Sequence, residues 1–134
     1  MDTRIDVSSM LGLERGDAHI IRNAGGLATE DAIRSLSVSQ RLLGTEEVVV
    51  IMHDDCGLLG ASEDAFAEAV AAEGPLPSWR LGAFSDVERT LQHTVQRLRE
   101  RHELPHRSDI RGFVFDPETG TLREPERQAS GSPS

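Results

Sequence analysis

Three short segments of the chain have the hydrophobic pattern of β-strands. In the predicted strand 47–52, residues 48–52 are apolar at successive positions, which is typical of a strand covered by helices on both faces, as in a parallel sheet. Residues 18–22 and residues 110–115 predict two further strands. The strand at 18–22 runs into the turn NAGG (residues 23–26), whose glycines allow the backbone to approach another part of the molecule closely.

Three helices are predicted from hydrophobic spacing and from residues that favour helix ends. Thr29 is a good N-cap for the first helix, and Gly44 ends it. The second helix covers about residues 62–73, and a capping box of Ser85 and Glu88 begins the third. The third helix carries an apolar stripe of Val87, Leu91, Val95 and Leu98.

The order of these elements is strand, helix, strand, helix, helix, strand. This order predicts an α/β domain over residues 1–123, with a mostly parallel sheet flanked by helices. Residues 124–134 are polar and contain Gly, Ser and Pro, which predicts a disordered tail. Ligands of parallel sheets bind at the carboxyl ends of strands, where residues 23–25 and 53–56 both fall.

The composition is that of an ordinary globular protein. The chain has 134 residues, of which 37% are hydrophobic and 28% charged, and its formal net charge is −9. Nucleic acids and anionic membranes bind basic patches, so the acidic balance argues against either partner. The single cysteine excludes an internal disulfide and predicts a cytoplasmic location.

His53 and Cys56 form a His-x-x-Cys pair at the carboxyl end of the predicted strand 47–52. Imidazole and thiolate are zinc ligands, but a zinc ion in a protein normally has at least three protein ligands. The chain contains no second cysteine. Taken alone, Cys56 is more often a small buried hydrophobic residue, and His53 a hydrogen-bonded histidine of the core.

Asp2 and Arg4 are two residues apart on a segment predicted to be extended. Their side chains therefore point the same way, and a guanidinium can hold a carboxylate through two parallel hydrogen bonds. The alternative is a surface ion pair that contributes little to stability.

Several motifs in one order give the chain its resemblance to a known family. They cover residues 1–60 densely and continue more loosely to RGFVFD at 111–116. Together they resemble a β-class carbonic anhydrase. The motifs are MDTRID (1–6), LGL (11–13), GDAHIIRNAGG (16–26), DAIRSL (31–36), SQRLLGT (39–45) and HDDCG (53–57).

The resemblance implies a zinc site. The family holds Zn²⁺ with the His and Cys of His-x-x-Cys, here His53 and Cys56, and with a Cys in a Cys-x-Asp-x-Arg motif that ends the first strand. Asp2 and Arg4 match that motif, whose Cys would directly precede Met1. We therefore expect a domain whose first central strand and first zinc ligand are missing from this chain, and weak zinc binding by the chain as given.

The resemblance also implies roles for the remaining site residues. Asp2 would accept a hydrogen bond from the zinc-bound hydroxide, and Arg4 would fix Asp2. Asn23, Ala24 and Gly25 would line a small substrate pocket.

The expected activity is reversible hydration of carbon dioxide to bicarbonate and a proton, by a homodimer or a dimer of dimers. Two alternatives stay open at this point. One is a non-catalytic family member with impaired zinc binding. The other is a hydrolase of a carbon dioxide analogue, such as carbon disulfide, on the same scaffold.

Overall fold

Three strands form one mixed sheet in the computed structural model, which describes residues 1–125. The strands are β1 (Val48–His53), β2 (Ile110–Asp116) and β3 (Thr121–Arg123). β1 and β2 are parallel, with His53 opposite Phe115, and β3 pairs antiparallel with β2. The predicted α/β class is therefore confirmed, and β1 and β2 lie within one residue of their predicted bounds.

Four α-helices accompany the sheet within residues 1–125. They are α1 (Val7–Leu11), α2 (Glu30–Leu43), α3 (Glu63–Ala71) and α4 (Val87–Arg99), and Ala24–Gly26 forms a short 3-10 turn. The Thr29 hydroxyl accepts a backbone N–H of the first turn of α2 at 3.3 Å, and Gly44 ends this helix, as predicted. The predicted cap of α4 is wrong by one residue, because the stronger acceptor, the carboxylate of Asp86 rather than the hydroxyl of Ser85, caps it.

The hydrophobic core joins the sheet to α2 and α4. Gly112 of β2 lies against Leu91 and Val95 of α4, on the face of the sheet that Val50 shares through the parallel register. The buried cluster consists of Ile33, Val48, Val50, Met52, Leu91, Val95, Leu98, Leu104, Ile110 and Val114. This packing fixes the direction of β1 and hence the place of the residues that follow it.

Residues 18–22 do not form the predicted strand. A strand needs a neighbour that pairs with its backbone N–H and C=O groups. Within residues 1–125, β1 pairs with β2 alone, and its other edge has no ladder. Residues 18–22 and β1 instead line a common groove of about 620 Å³, so a gap separates them.

The face of the sheet opposite α4 is only partly covered, although the apolar run predicted cover on both faces. Val49 is 47% exposed between the buried Val48 and Val50. Phe113 is partly buried, and the Arg111 guanidinium lies 5.1 Å from its ring centroid. The reason is that α4, the helix packed on both β1 and β2, lies on the other face.

The end of the described chain forms a hairpin. The N–H of Gly120 donates to the carbonyl of Asp116 at 2.8 Å and closes the turn predicted at 116–120. The sequence does not predict β3, which is only three residues long. The predicted disordered tail lies outside the described residues from 126 onward. Residues 1–125 contain no helix long and apolar enough to cross a membrane.

Candidate active site

His53 and Cys56 lie at the carboxyl end of β1, as predicted. His53 is the last residue of the strand, and Cys56 follows in the turn after it. Both are buried, with 7% and 9% of their surface exposed. Asp55, between them, has a φ of 59°, in the left-handed region that Asp tolerates better than most residues, and this conformation turns the chain sharply.

The His53 ring is oriented by one short hydrogen bond. Its Nδ1 lies 2.8 Å from the carbonyl oxygen of Asp54. A carbonyl oxygen can only accept, so Nδ1 carries the hydrogen, and Nε2 of the neutral ring keeps its lone pair. That is the form in which a histidine binds a metal ion.

Asp2 and Arg4 form the predicted bidentate pair. Arg4 Nε donates to Asp2 Oδ1 at 3.0 Å, and Nη2 donates to Oδ2 at 2.8 Å. Arg4 also donates to the carboxylate of Asp55 at 3.2 Å and to its carbonyl at 3.1 Å. Arg4 therefore ties residues 1–6 to the turn that holds Cys56.

The Arg4 guanidinium holds the pKa of Asp2 well below its usual range, through these hydrogen bonds. Asp2 is therefore an ionised acceptor at neutral pH. Its Oδ2 lies 3.8 Å from His53 Nε2, so the carboxylate faces the free nitrogen of the ring.

Arg22 holds the same segment from the other side. Its Nη2 donates to the Asp2 carbonyl at 2.6 Å, and its Nη1 to the Ile5 carbonyl at 3.0 Å. The nitrogen of Met1 donates to the Asn23 carbonyl at 2.7 Å. Residues 1–6 therefore lie beside the turn at 23–26.

The side chain of Asn23 closes the turn at 23–26. Asn23 accepts the N–H of Leu27 at 3.2 Å and donates to its carbonyl at 2.9 Å. Ala24 follows in the 3-10 turn, and Gly25 is buried with a φ of 82°. A Cβ on Gly25 would lie 2.9 Å from Leu58 Cδ1. Both hydrogen bonds of the Asn23 side-chain amide are thus made to Leu27. In the predicted pocket, the turn can therefore contact a substrate mainly through its backbone groups.

Asp54 joins the end of β1 to β3. Arg123 donates to its two carboxylate oxygens at 2.7 and 3.0 Å, and to Glu88 of α4 at 3.0 Å. The Arg123 guanidinium holds the pKa of Asp54 below its usual range.

No role was predicted from the sequence for four residues that contact the site: Asp54, Asp55, Arg22 and Arg123. The two aspartates lie between His53 and Cys56 in the sequence, and this position beside a predicted site could have indicated a role for them. Arg22 and Arg123 carry no such signal, because they meet their partners only in the folded chain.

The side chains at this site are of the types that bind zinc, but there are too few of them for a complete zinc site. His53 Nε2 and the Cys56 thiol are zinc ligands by type, whereas the Asp2 carboxylate is already engaged by Arg4. In the part of the chain that the structure describes, no three His, Cys, Asp or Glu side chains are arranged to hold a metal ion. A catalytic zinc site uses three protein ligands, so this arrangement lacks one.

Comparison with known proteins agrees with the fold. The carbonic anhydrase family model matches residues 1–110. Beta-carbonic anhydrase 1 of Mycobacterium tuberculosis is 43% identical over 125 residues, covering 92% of this chain and 77% of that protein. A carbon disulfide hydrolase of Acidithiobacillus thiooxidans is 37% identical over 146 residues, covering 93% and 73%.

Solved structures show the same relationship. A carbonic anhydrase of Streptococcus mutans superposes with a TM-score of 0.85 at 38% identity, over 92% of this chain and 76% of that one. An apo form of carbon disulfide hydrolase superposes with a TM-score of 0.83 at 30% identity, over 100% and 79%. The chain belongs to the β-class carbonic anhydrase family, a family of carbonate dehydratases.

Proposed function

We propose that this protein hydrates carbon dioxide reversibly to bicarbonate and a proton, at a zinc centre to which it contributes His53 and Cys56. The observation that carries the proposal is the arrangement at the carboxyl end of β1. A buried thiol, a histidine with a free Nε2 and a carboxylate held by arginine are placed there by one turn and one N-terminal segment.

Each residue has a task that its contacts support. Zinc, when bound, supplies a water molecule whose pKa is lowered towards neutrality. Cys56 and His53 would hold the metal, and the Asp54 carbonyl keeps the His53 ring in the required tautomer. Asp2, kept ionised by Arg4, would accept a hydrogen bond from the water and so orient it towards carbon dioxide.

The turn formed by Asn23, Ala24 and Gly25 provides the wall of the substrate pocket. It presents little side chain, since the Asn23 amide bonds to Leu27, Ala24 carries only a methyl group and Gly25 has no side chain. Backbone groups therefore face a substrate that is small and uncharged.

The third zinc ligand is the sharpest point to test. Met1 directly precedes Asp2, whose carboxylate lies 3.8 Å from His53 Nε2, so a thiol supplied by a segment joined to the Met1 nitrogen would enter close to the existing donors. Two variants carry a strand-length apolar segment before Met1, one ending in Cys and the matched control ending in Ser. Zinc per chain and carbon dioxide hydration are measured for these and for the chain as given.

We expect tight zinc binding and fast turnover only in the variant whose segment ends in Cys, and loss of both when Cys56→Ser is added. Equal zinc binding and turnover in all three proteins would show that residues 1–125 hold zinc by another donor set. Tight zinc without carbon dioxide hydration would contradict the proposed reaction.

Carbon disulfide hydrolysis is the second candidate, because relatives with that name are 30–37% identical to this chain. Turnover of carbon disulfide by the zinc-loaded protein, with none of carbon dioxide, would favour it. The higher identity to a carbonic anhydrase, 43%, supports carbon dioxide as the first candidate substrate.

We also propose that the protein assembles as a homodimer or as a dimer of dimers. The support is apolar surface on and beside the open edge of the sheet. Val49, Ile20 and Ile21 are 47%, 46% and 41% exposed, and all three line the groove beside β1. A second copy of the chain would remove this surface from water.

A further inference from the structure

We infer that Arg123 is a positioning residue for His53 and that it acts through Asp54. The inference deepens the proposed function, because it concerns how the chain prepares one of its two zinc ligands. It rests on the contacts that link the last residue of β3 to the last residue of β1.

The first link is a forked ion pair. Arg123 Nη1 lies 2.7 Å from Asp54 Oδ2, and Nη2 lies 3.0 Å from Oδ1. The remaining side-chain nitrogen, Nε, donates to Glu88 at 3.0 Å. A guanidinium held at both ends in this way fixes the plane of the carboxylate that it binds.

The second link is the backbone of Asp54. Its N–H donates to the Phe115 carbonyl of β2 at 2.9 Å, which extends the β1–β2 ladder by one residue. Its carbonyl accepts from His53 Nδ1 at 2.8 Å. Asp54 is therefore fixed at its N–H by β2 and at its side chain by Arg123, and these restraints leave the carbonyl facing the ring.

The consequence concerns the tautomer of His53. If Asp54 loses its side-chain anchor, its peptide group can rotate, and the hydrogen bond to Nδ1 weakens. The neutral ring can then carry its hydrogen on Nε2, the nitrogen that faces Asp2 at 3.8 Å, and in that form Nε2 cannot bind a metal ion. Arg123 thus favours the metal-binding tautomer from two strands away.

The test compares Arg123→Gln with a matched control, Arg111→Gln, in the full chain. Arg111 makes the same kind of forked pair, donating to Glu124 at 3.0 and 2.9 Å, but it lies opposite Val49, away from His53. The first readout is the tautomer of His53 in the zinc-free protein, from long-range nitrogen–proton correlations in NMR spectra at a pH where the ring is neutral. The second is zinc affinity by competition with a chromophoric chelator.

We expect Arg123→Gln to raise the Nε2–H fraction of His53 and to weaken zinc binding by about 10–100-fold, the usual effect of losing a group that orients a ligand. Arg111→Gln should change neither. Asp54→Asn, which keeps the carbonyl but loses the fork, should reproduce the Arg123→Gln result, and Arg123→Lys should give an intermediate one.

An unchanged tautomer in Arg123→Gln, or a shift there that Asp54→Asn does not reproduce, overturns the inference. If Arg123→Gln fails to fold, Arg123→Lys and Asp54→Asn decide the question by the same readouts. The tautomer requires neither zinc nor turnover. A tautomer shift in Arg123→Gln, combined with no carbon dioxide hydration by the variant whose added segment ends in Cys, would therefore remove the proposed function and leave the positioning role in place.

Discussion

Gly26 lies where the turn at 23–26 meets the backbone of β1. It has a φ of +65°, and a Cβ built on it would be 2.8 Å from the carbonyl oxygen of Ile51. The sequence indicated that these glycines allow a close approach, and the partner of that approach is now identified as the strand that leads to His53. A side chain at this position would push the pocket turn away from the site.

Replacing Gly26 with Ala should therefore destabilise the protein more than the same change at Gly60. Gly60 has a φ of +75°, and a Cβ at this position would have nothing within 4 Å, so Gly60→Ala carries only the backbone cost of about 1–2 kcal/mol. Gly26→Ala adds a clash with main-chain atoms of about 1–3 kcal/mol. Urea unfolding of both variants measures the difference, and equal midpoints would contradict the argument.

At the residue scale, short-range pairs were predictable and long-range pairs were not. Asp2 and Arg4 are two residues apart, so the extended backbone alone brings their side chains to one side. Arg22 reaches Asp2 across 20 positions, and Arg123 reaches Asp54 across 69. Such partners are set by the path of the whole chain, and hydrophobic spacing carries no information about them.

The same division holds for secondary-structure elements. The helix α2 was predictable from its cap and its hydrophobic spacing, which are properties of neighbouring residues. Strand β3 and the segment 18–22 were not, because a strand depends on the neighbour with which it pairs. Three residues with one partly buried side chain form β3 because β2 lies beside them. Residues 18–22 have a more strand-like sequence but no paired neighbour in the described chain.

The contact between α4 and β2 gives a prediction for these elements. A Cβ on Gly112 would lie 2.9 Å from Leu91 Cδ1 and 3.1 Å from Val95 Cγ2. Gly112→Ala should therefore cost about 1–3 kcal/mol through overpacking, and Leu91→Ala about 2–5 kcal/mol through a cavity. The double variant should lose less stability than the sum, because the new methyl group occupies part of that cavity. Additive losses in chemical denaturation would show that Leu91 does not limit the space above Gly112.

Glu63 ties α3 to the loop at residues 81–83. Its carboxylate accepts the N–H groups of Ala83, Gly82 and Leu81 at 3.0, 2.7 and 3.0 Å. These hydrogen bonds, that of Ala83 first, hold the pKa of Glu63 below its ordinary value. The ionised form is therefore favoured by folding.

Because the folded pKa is lowered, the stabilisation is complete above the unfolded pKa of about 4.3 and is lost as the pH falls through the folded pKa. The wild type should be more stable than Glu63→Gln by a constant margin at pH 6–8, and the margin should shrink below about pH 4. Urea midpoints measured from pH 8 to pH 3 test this, with Glu68→Gln, an exposed position on α3, as the control. If this difference in stability did not depend on pH, the charge of Glu63 would not be its cause.

At the scale of the whole molecule, all parts of the site converge on one end of the sheet. His53 is at the end of β1, and Cys56 is in the turn after it. β3 delivers Arg123, and residues 1–6 cross the same end beside the turn at 23–26. The rule that ligands bind at the carboxyl ends of parallel strands predicted this place from the sequence, because it depends on strand direction alone. The open edge agrees with the expected absence of a first central strand. The partly bare face could not be predicted, since the hydrophobic run indicated helices on both sides.

The open edge and face lead to the last prediction, on assembly. Val49 is 47% exposed at the centre of the apolar surface that the proposed dimer would bury. Val49→Arg should place an unpaired charge there and weaken the dimer by about 2 kcal/mol or more, which is about 30-fold in the dissociation constant. Sedimentation equilibrium at micromolar concentrations should show a dimer for the wild type and a monomer for Val49→Arg.

Leu76→Arg is the control for this experiment, because Leu76 is 56% exposed but does not line the groove beside β1. It should leave the dimer intact, and circular dichroism should show the same fold in all three proteins. A dimer that survives Val49→Arg but dissociates with Leu76→Arg would place the interface at Leu76 and not at the groove. A wild type that sediments as a monomer would mean that the surface around Val49 does not bind a second copy of the chain.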